Sequence, residues 1–422
     1  MLYQLHELQR QWLNPLTSFA ESAASLYSHP SSPLSYTPFS REISAGYDLL
    51  NRVGKLYDKP LFGIHDTSVN GKHVAVIEET IIDKPFCRLL HFRKADVKNS
   101  DGAKRSAKQP AAQPTVLIAA PLSGHHATLL RDTVRAMLPE HDVYLTDWVD
   151  ARMVPVSEGA FHLDDYIAYI IEFVQHLGPN LHVISVCQPT VPVLAALSLM
   201  AANKDPKSPR SMTMMGGPID SRRNPTQVNN LATTKPIEWF EHNVIHRVPP
   251  NHPGFMRRVY PGFLQHAGFV AMNPDRHMQS HQDYYNHLVQ GDGDSAEAHR
   301  QFYDEYNAVL DMDADYYLDT IRTVFQQHAL ANGNWVTGKS LGHQKIEPAA
   351  ITKTALFTIE GELDDISGGG QTEAAHDLCT GVPTSKKQHF TAPQCGHYGI
   401  FAGRRWRELI QPKIAGFIRK NN

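Results

Sequence analysis

From the start of the chain to Pro30, Leu5, Leu8, Trp12, Leu13, Leu16 and Phe19 recur at helical spacing, and a Ser/Pro-rich break follows at Pro30-Ser31-Ser32-Pro33. The pattern predicts an amphipathic helix, and such a stripe is expected to pack on its parent domain. Val74-Ala75-Val76-Ile77 opens a β-rich stretch, and the polar, basic run from Lys98 to Gln113, punctuated by Ala and Pro, predicts an exposed loop. Beyond it, short apolar runs alternate with helical periodicity. The runs Val116–Ala120, Val143–Trp148, Val183–Val186, Met212–Met215 and Ala355–Ile359 each have the length of one buried strand. Helices are expected after His126, Leu163, Pro189 and Gln371, and from Arg404 to the C-terminus. This alternation predicts an α/β core with a mostly parallel sheet flanked by helices.

Between Met215 and Ala355 the alternation breaks into a stretch rich in Tyr, His, Met and Pro, which predicts a mainly helical insertion covering the carboxyl edge of the sheet. The expected organisation is an N-terminal helical segment packed on the core (residues 1–60), a first part of the core (61–217), the cap insertion (218–350) and a second part of the core (351–422).

Composition narrows the function. With 422 residues, 41% hydrophobic and 20% charged, the chain is an ordinary packed protein. Its 40 basic side chains nearly balance its 43 acidic ones, so no global field selects nucleic acid or anionic lipid. No apolar run reaches the ~20 residues of a membrane helix, and Met1 to Glu7 lack a basic region leading into an apolar run. Cys87, Cys187, Cys379 and Cys395 lack CxxC spacing and suit a reducing compartment. A cytoplasmic protein is expected.

Ligands of open α/β sheets sit outside the carboxyl ends of the strands, so the strand-to-helix corners are where chemistry is expected. At one corner the strand ending at Val186 runs into Cys187-Gln188-Pro189-Thr190, where a nucleophile elbow would place Cys187. Ser185 and Pro189 stand where the usual elbow has Gly. At a second corner Gly361-Glu362-Leu363-Asp364-Asp365-Ile366 offers a carboxylate from either aspartate. The third is Gln394-Cys395-Gly396-His397-Tyr398-Gly399, a glycine-flanked His before the last helix. Cys, then Asp, then His is the nucleophile, acid, base order of α/β-hydrolases. The loop Pro121-Leu122-Ser123-Gly124-His125 follows the first core strand, where such enzymes place one oxyanion donor, the other being the residue after the nucleophile. Gln188 and Ser123 are therefore the candidate oxyanion residues.

Ala120–His125, Val186-Cys187-Gln188-Pro189, Phe302–Val309, Glu360–Gly370 and Gly396-His397-Tyr398-Gly399 resemble the intracellular polyhydroxybutyrate depolymerases. The resemblance covers nearly the whole chain after the first helix. It implies an α/β-hydrolase fold with Cys187 as nucleophile, Asp364 as acid and His397 as base, cutting esters of a stored polyester through an acyl-enzyme. Related hydrolases carry the acid directly before a polar-Ile pair, which Asp364 fits, with Asp365 as the alternative. The implied partner is a storage granule or polyester chain, with a homo-oligomer possible and no cofactor required.

Leu122, His125, Trp239 and Tyr398 are the candidate substrate contacts, and Phe240, Phe255, Tyr260, Phe263, Phe269, Tyr284 and Tyr285 supply further aromatic surface in the cap. No metal site is expected. His277, His281, Asp283 and His287 have ligand-like spacing but read as a solvated helix face. Asp311, Asp313 and Asp315 start like a calcium loop, but Tyr316 and Arg322 stand where Gly and Glu are needed. Two other readings stay open: an acyltransferase or polymer synthase on the same fold, since a thioester can be resolved by an alcohol as well as by water, and a non-catalytic granule-coat protein.

Overall fold

The computed structural model describes residues 2–95 and 113–422, so nearly all of the basic connection expected from Lys98 lies outside the described residues. The chain begins with α1 (Leu2–Ser28) and α2 (Ser40–Gly54), followed by β1 (Asp66–Val69), β2 (Lys72–Asp83) and β3 (Cys87–Lys94). The alternating core follows: β4 (Thr115–Ala119), α3 (Arg131–Met137), β5 (Asp142–Trp148), α4 (Leu163–Leu177), β6 (Leu181–Val186), α5 (Thr190–Ala202) and β7 (Ser211–Met215). The cap holds α6 (Gln227–Thr234), α7 (Ile237–Asn243), β8 (His246–Arg247), β9 (Arg258–Tyr260), α8 (Gly262–Met272), α9 (Pro274–Gln290), α10 (Gly293–Asn307), β10 (Met312–Asp313) and α11 (Ala314–Thr320). The core resumes with β11 (Ala355–Gly361) and β12 (Lys387–Ala392) and ends in a helix over Gln411–Asn421.

Nine strands form one sheet in the order β1-β2-β3-β5-β4-β6-β7-β11-β12. The six from β5 to β12 pair parallel, and β1, β2 and β3 add an antiparallel edge. The parallel strands are short continuous apolar runs because helices cover both faces: every residue of β6, β7 and β11 is buried. Helix α5 is apolar all round and buried from Thr190 to Met200, as a helix enclosed by other elements must be. The helix expected after Gln371 amounts to the four residues Ala375–Leu378.

The cap is mainly helical, with a small antiparallel sheet of β8, β9 and β10. Within it Arg257 Nη1 and Asp313 Oδ2 form a buried ion pair at 2.8 Å. The same guanidinium donates to the carbonyls of Val154, Pro155 and Gly159, which satisfies the charge that burial would otherwise penalise. Asp313 therefore holds an arginine, and Asp311 accepts from the Tyr3 hydroxyl at 2.6 Å and the Gly262 N–H at 2.8 Å.

The N-terminal segment departs from expectation in two ways. It rests largely on the cap rather than on the sheet core: His6 stacks on Phe263, Arg52 pairs with Asp304, and Tyr284 donates to Asp48. The face of α1 that packs carries Tyr3, Thr17, Ala20, Ala23 and Ala24, whereas Leu5, Leu8, Leu16, Phe19 and Trp12, the last 82% exposed, face solvent. Small residues allow α1 and α2 to approach closely, so packing uses the small face and leaves the large apolar stripe uncovered. Among the described residues, no helix is long and apolar enough to cross a membrane.

Candidate active site

Strand β6 ends at Val186, and the chain turns at once into α5 through Cys187, whose φ of +69° lies in the left-handed region that non-glycine residues rarely occupy. Strain of this kind persists only where the surroundings over-determine it. Here the Cys187 N–H donates to Met215 O at 2.7 Å, and the Cys187 carbonyl accepts from the Thr190 N–H at 3.1 Å. Room for the turn comes from the neighbouring strand end. A Cβ on Gly217 would lie 1.8 Å from Thr190 Oγ1 and 2.5 Å from Cys187 O, so only glycine fits there. Ser185 is accommodated below the turn, its Oγ donating to Met214 Sδ at 2.9 Å, and Pro189 takes φ −55° at the start of α5.

The loop after β11 carries Asp364, and the segment after β12 carries His397 at the start of a short turn. His397 Nδ1–H donates to Asp364 Oδ2 at 2.8 Å, while Asp364 Oδ1 accepts from the N–H groups of Ile366 (2.9 Å) and Ser367 (2.8 Å). Both side chains are almost fully buried. Asp365 is exposed and, among the described residues, its side chain accepts only from Asn273 Nδ2, at 3.4 Å. Burial alone would lower the His397 value, but the Asp364 carboxylate and Cys187, each also hydrogen-bonded to the ring, raise it well above 6.5. The order Cys187, Asp364, His397 is thus converted into one contiguous constellation with Nε2 turned to the sulfur.

Above it lies a cavity of about 480 Å³, walled by the core on one side and the cap on the other. Its lining includes Cys187, Gln188, Leu122, Ser123, His125, His397 and Tyr398, together with Phe240, Tyr260 and Phe269. Trp239 does not line it. That indole is half-buried against Phe240 and Lys235, because α7 turns the next residue inward, so the substrate-contact expectation passes from Trp239 to Phe240. Phe255 is exposed, and Phe263 and Tyr284 pack toward the N-terminal helices.

Among the described residues, no acceptor takes the backbone N–H of Gln188 or Leu122, and both residues border the cavity beside Cys187. His125 donates from Nε2 to Tyr306 O at 3.2 Å and stacks on Phe269, with burial pushing its value down to about 4, so it is neutral at physiological pH.

Two contributors were missed in the sequence. Tyr316, on α11, donates its hydroxyl to Leu122 O at 3.3 Å and so ties the cap to the loop beside the site. Gln265, with Gly268, Phe269 and Met272, forms one face of α8 toward the cavity. Their i, i+3, i+4, i+7 spacing was the available signal. His277 accepts and donates between the hydroxyls of Tyr303 and Tyr306, which occupies both ring nitrogens in packing. Among the described residues, Glu360, Glu373 and His389 are close enough to hold an ion, but the Glu360 carboxylate already accepts the N–H groups of Gly370, Thr372 and Glu373.

A six-stranded parallel sheet, a strained Cys elbow, a buried Asp–His pair and a cap over them define an α/β-hydrolase. Residues 216–422 match the family described as PHB de-polymerase C-terminus. That match supports carboxylic ester hydrolysis. Among solved structures the chain is similar to 2-hydroxy-6-oxo-6-phenylhexa-2,4-dienoate hydrolase from Rhodococcus sp. strain RHA1, at 12% identity and a TM-score of 0.44, covering 82% of this chain and 99% of that one. It is likewise similar to a monoacylglycerol lipase from Paleococcus ferrophilus, at 10% identity and a TM-score of 0.41, covering 74% of this chain and 97% of that one. No curated protein matches the chain.

Proposed function

We propose that the protein hydrolyses poly(3-hydroxybutyrate) through an acyl-enzyme on Cys187. The observation that carries this reading is a largely apolar cavity with Cys187, His397 and the free Gln188 N–H at one place on its wall. A thiol is a poor nucleophile until a base takes its proton, and His397, oriented by Asp364, is that base. Cys187 Sγ bonds to the ester carbonyl carbon, and the carbonyl oxygen, now negative, is held by the N–H of Gln188 and by the Leu122–Ser123 loop. Loss of one such donor typically costs ~10²–10³ in rate. His397 then protonates the departing alkoxide. Water, deprotonated by the same imidazole, attacks the thioester and frees the 3-hydroxyacid and the thiol.

The uncovered stripe of α1 supports docking on a cytoplasmic polyester granule. Between Leu2 and Ser28 the only charged side chains are Glu7, Arg10 and Glu21, which suits a neutral polymer and lacks the Lys/Arg belt that anionic bilayers attract. Helix α8 links the two surfaces, giving Phe263 to α1 and Phe269 to the cavity.

The test is release of 3-hydroxybutyrate from amorphous granules by wild type and Cys187→Ala, with p-nitrophenyl butyrate as a soluble control. The expected result is loss of at least ~10⁴ in both activities, with granule adsorption retained. Hydrolysis of the nitrophenyl ester without release from granules would overturn the substrate, and an active Cys187→Ala would overturn the nucleophile.

A further inference from the structure

An apolar cavity sets strict terms for any polar atom in its wall, since that atom must find a partner in the protein or in what enters. Gln265 is 3% exposed and lines the cavity. Its Nε2 donates to the carbonyls of Tyr260 (2.8 Å) and Leu310 (3.1 Å), which fixes the orientation of the amide. Its Oε1 has no donor among the described residues.

That oxygen lies over the loop that follows β4. A Cβ on Gly124 would be 2.6 Å from Oε1 and 3.1 Å from the Phe269 ring, and Gly124 has φ +111°, so glycine keeps the approach open. The group is therefore an acceptor in want of a donor, placed against Gly124 in the loop that carries Ser123, in the wall of the cavity that Cys187 also lines.

Resting on the polyester reading above, the chemistry of the substrate then decides what Gln265 meets. Repeat units within a polyester carry only acceptors, the carbonyl and ester oxygens, and an ionised carboxyl terminus adds only more. The single donor of such a chain is the hydroxyl at its other end. That end belongs to the acyl side of the scissile bond, the side that remains on Cys187.

We propose that Gln265 is a specificity-determining residue that accepts a hydrogen bond from the terminal hydroxyl of the 3-hydroxyacyl group, so that chains are shortened from the hydroxyl end. An interior unit in the same place would set an ester oxygen against Oε1, two acceptors with no proton between them. The selectivity arises from that mismatch, because a buried polar group left unpaired discriminates more strongly than a change of apolar size.

The experiment compares kcat/KM for the 3-hydroxybutyrate trimer with a free hydroxyl and for the same trimer with that hydroxyl O-methylated. It uses wild type, Gln265→Leu and the bulkier Gln265→Met, with p-nitrophenyl butyrate, which has no hydroxyl, reporting folding and the Cys187 machinery. Wild type is expected to prefer the free hydroxyl by about tenfold or more. Both variants are expected to bring the ratio close to one, with nitrophenyl hydrolysis reporting that each is folded. A wild-type ratio near one overturns the inference, as does a ratio preserved in a folded variant. Failure to cleave either trimer while the nitrophenyl ester is hydrolysed overturns the polyester reading, and this inference with it.

Discussion

The cavity over Cys187 and the stripe along α1 are both apolar, and they are built in opposite ways. The cavity is enclosed between two layers, its polar atoms are few and placed, and its floor is held by backbone bonds from three strand ends at Cys187, Gly216 and Leu363. The stripe is a row of large side chains on one helix, largely exposed among the described residues and with few charges beside it. A surface that must select one bond in one orientation needs fixed donors and a rigid wall. A surface that need only adhere to a condensed apolar phase needs area, and area does not need order. Changes in the Cys187, Asp364 and His397 constellation should therefore act on turnover of every ester, and changes in the stripe only on substrate that is not in solution.

The largest separation is expected within the cavity, between adjacent aspartates. Asp364→Asn removes the acceptor that holds His397 Nδ1–H, and should lower kcat by about 10³–10⁴ on soluble ester and granule alike. Asp365→Asn should stay within about twofold, because that carboxylate is exposed and makes one long contact. Stability carries the same signature. The folded-state value of His397 is raised, so its contribution is fully present below the ordinary 6.5 and is lost as pH rises through the folded value. The stability gap between wild type and Asp364→Asn should accordingly be widest below about pH 6.5 and narrow on raising the pH. Urea melts at stepped pH read it directly, and a gap that widens with pH would refute the assignment.

How much of this was readable beforehand follows the same division. The buried strands announced themselves as apolar runs, and the Cys, Asp, His order fell on three of the corners that such a sheet creates. Strand β12 gave no such signal, because Lys387–Ala392 is an edge strand half open to solvent and keeps polar side chains. The acid could not be chosen by composition, since Asp364 and Asp365 differ only in which one the loop turns toward His397. Trp239 was the candidate contact and Phe240 only further aromatic surface, and the phase of α7 reverses them. The stripe of α1 was legible as a helix face but not as an exposed one, for periodicity fixes which residues share a face and says nothing of what covers it.

An effect of intermediate size is expected on the open surface. Replacing Trp12 and Phe19 together by Gln removes two large exposed side chains, and contacts of that kind contribute ~1.5–3 kcal/mol each when covered. Adsorption to amorphous granules should weaken by about 10²-fold, with granule hydrolysis falling in step and p-nitrophenyl butyrate hydrolysis unchanged. Sedimentation of both proteins without granules checks the competing occupant. A wild-type dimer that the double variant dissociates would make the stripe an interface between copies of the chain and remove it from the docking argument.

The smallest effect tests how firmly the cavity floor is determined. Ser185 stands where an elbow of this type usually has Gly, and crowding at that place would show as activity gained on Ser185→Gly. The turn draws its room from Gly217 instead, where any Cβ would collide with Thr190 Oγ1 and the Cys187 carbonyl. Ser185→Gly should therefore leave kcat/KM within about twofold and cost about 1 kcal/mol of stability, from strand backbone entropy and the lost contact to Met214 Sδ. Thermal melting and nitrophenyl ester kinetics on one preparation suffice. A severalfold rise in kcat would mean that residue 185 constrains the elbow after all, and that the enclosed surface is less over-determined than its hydrogen bonds indicate.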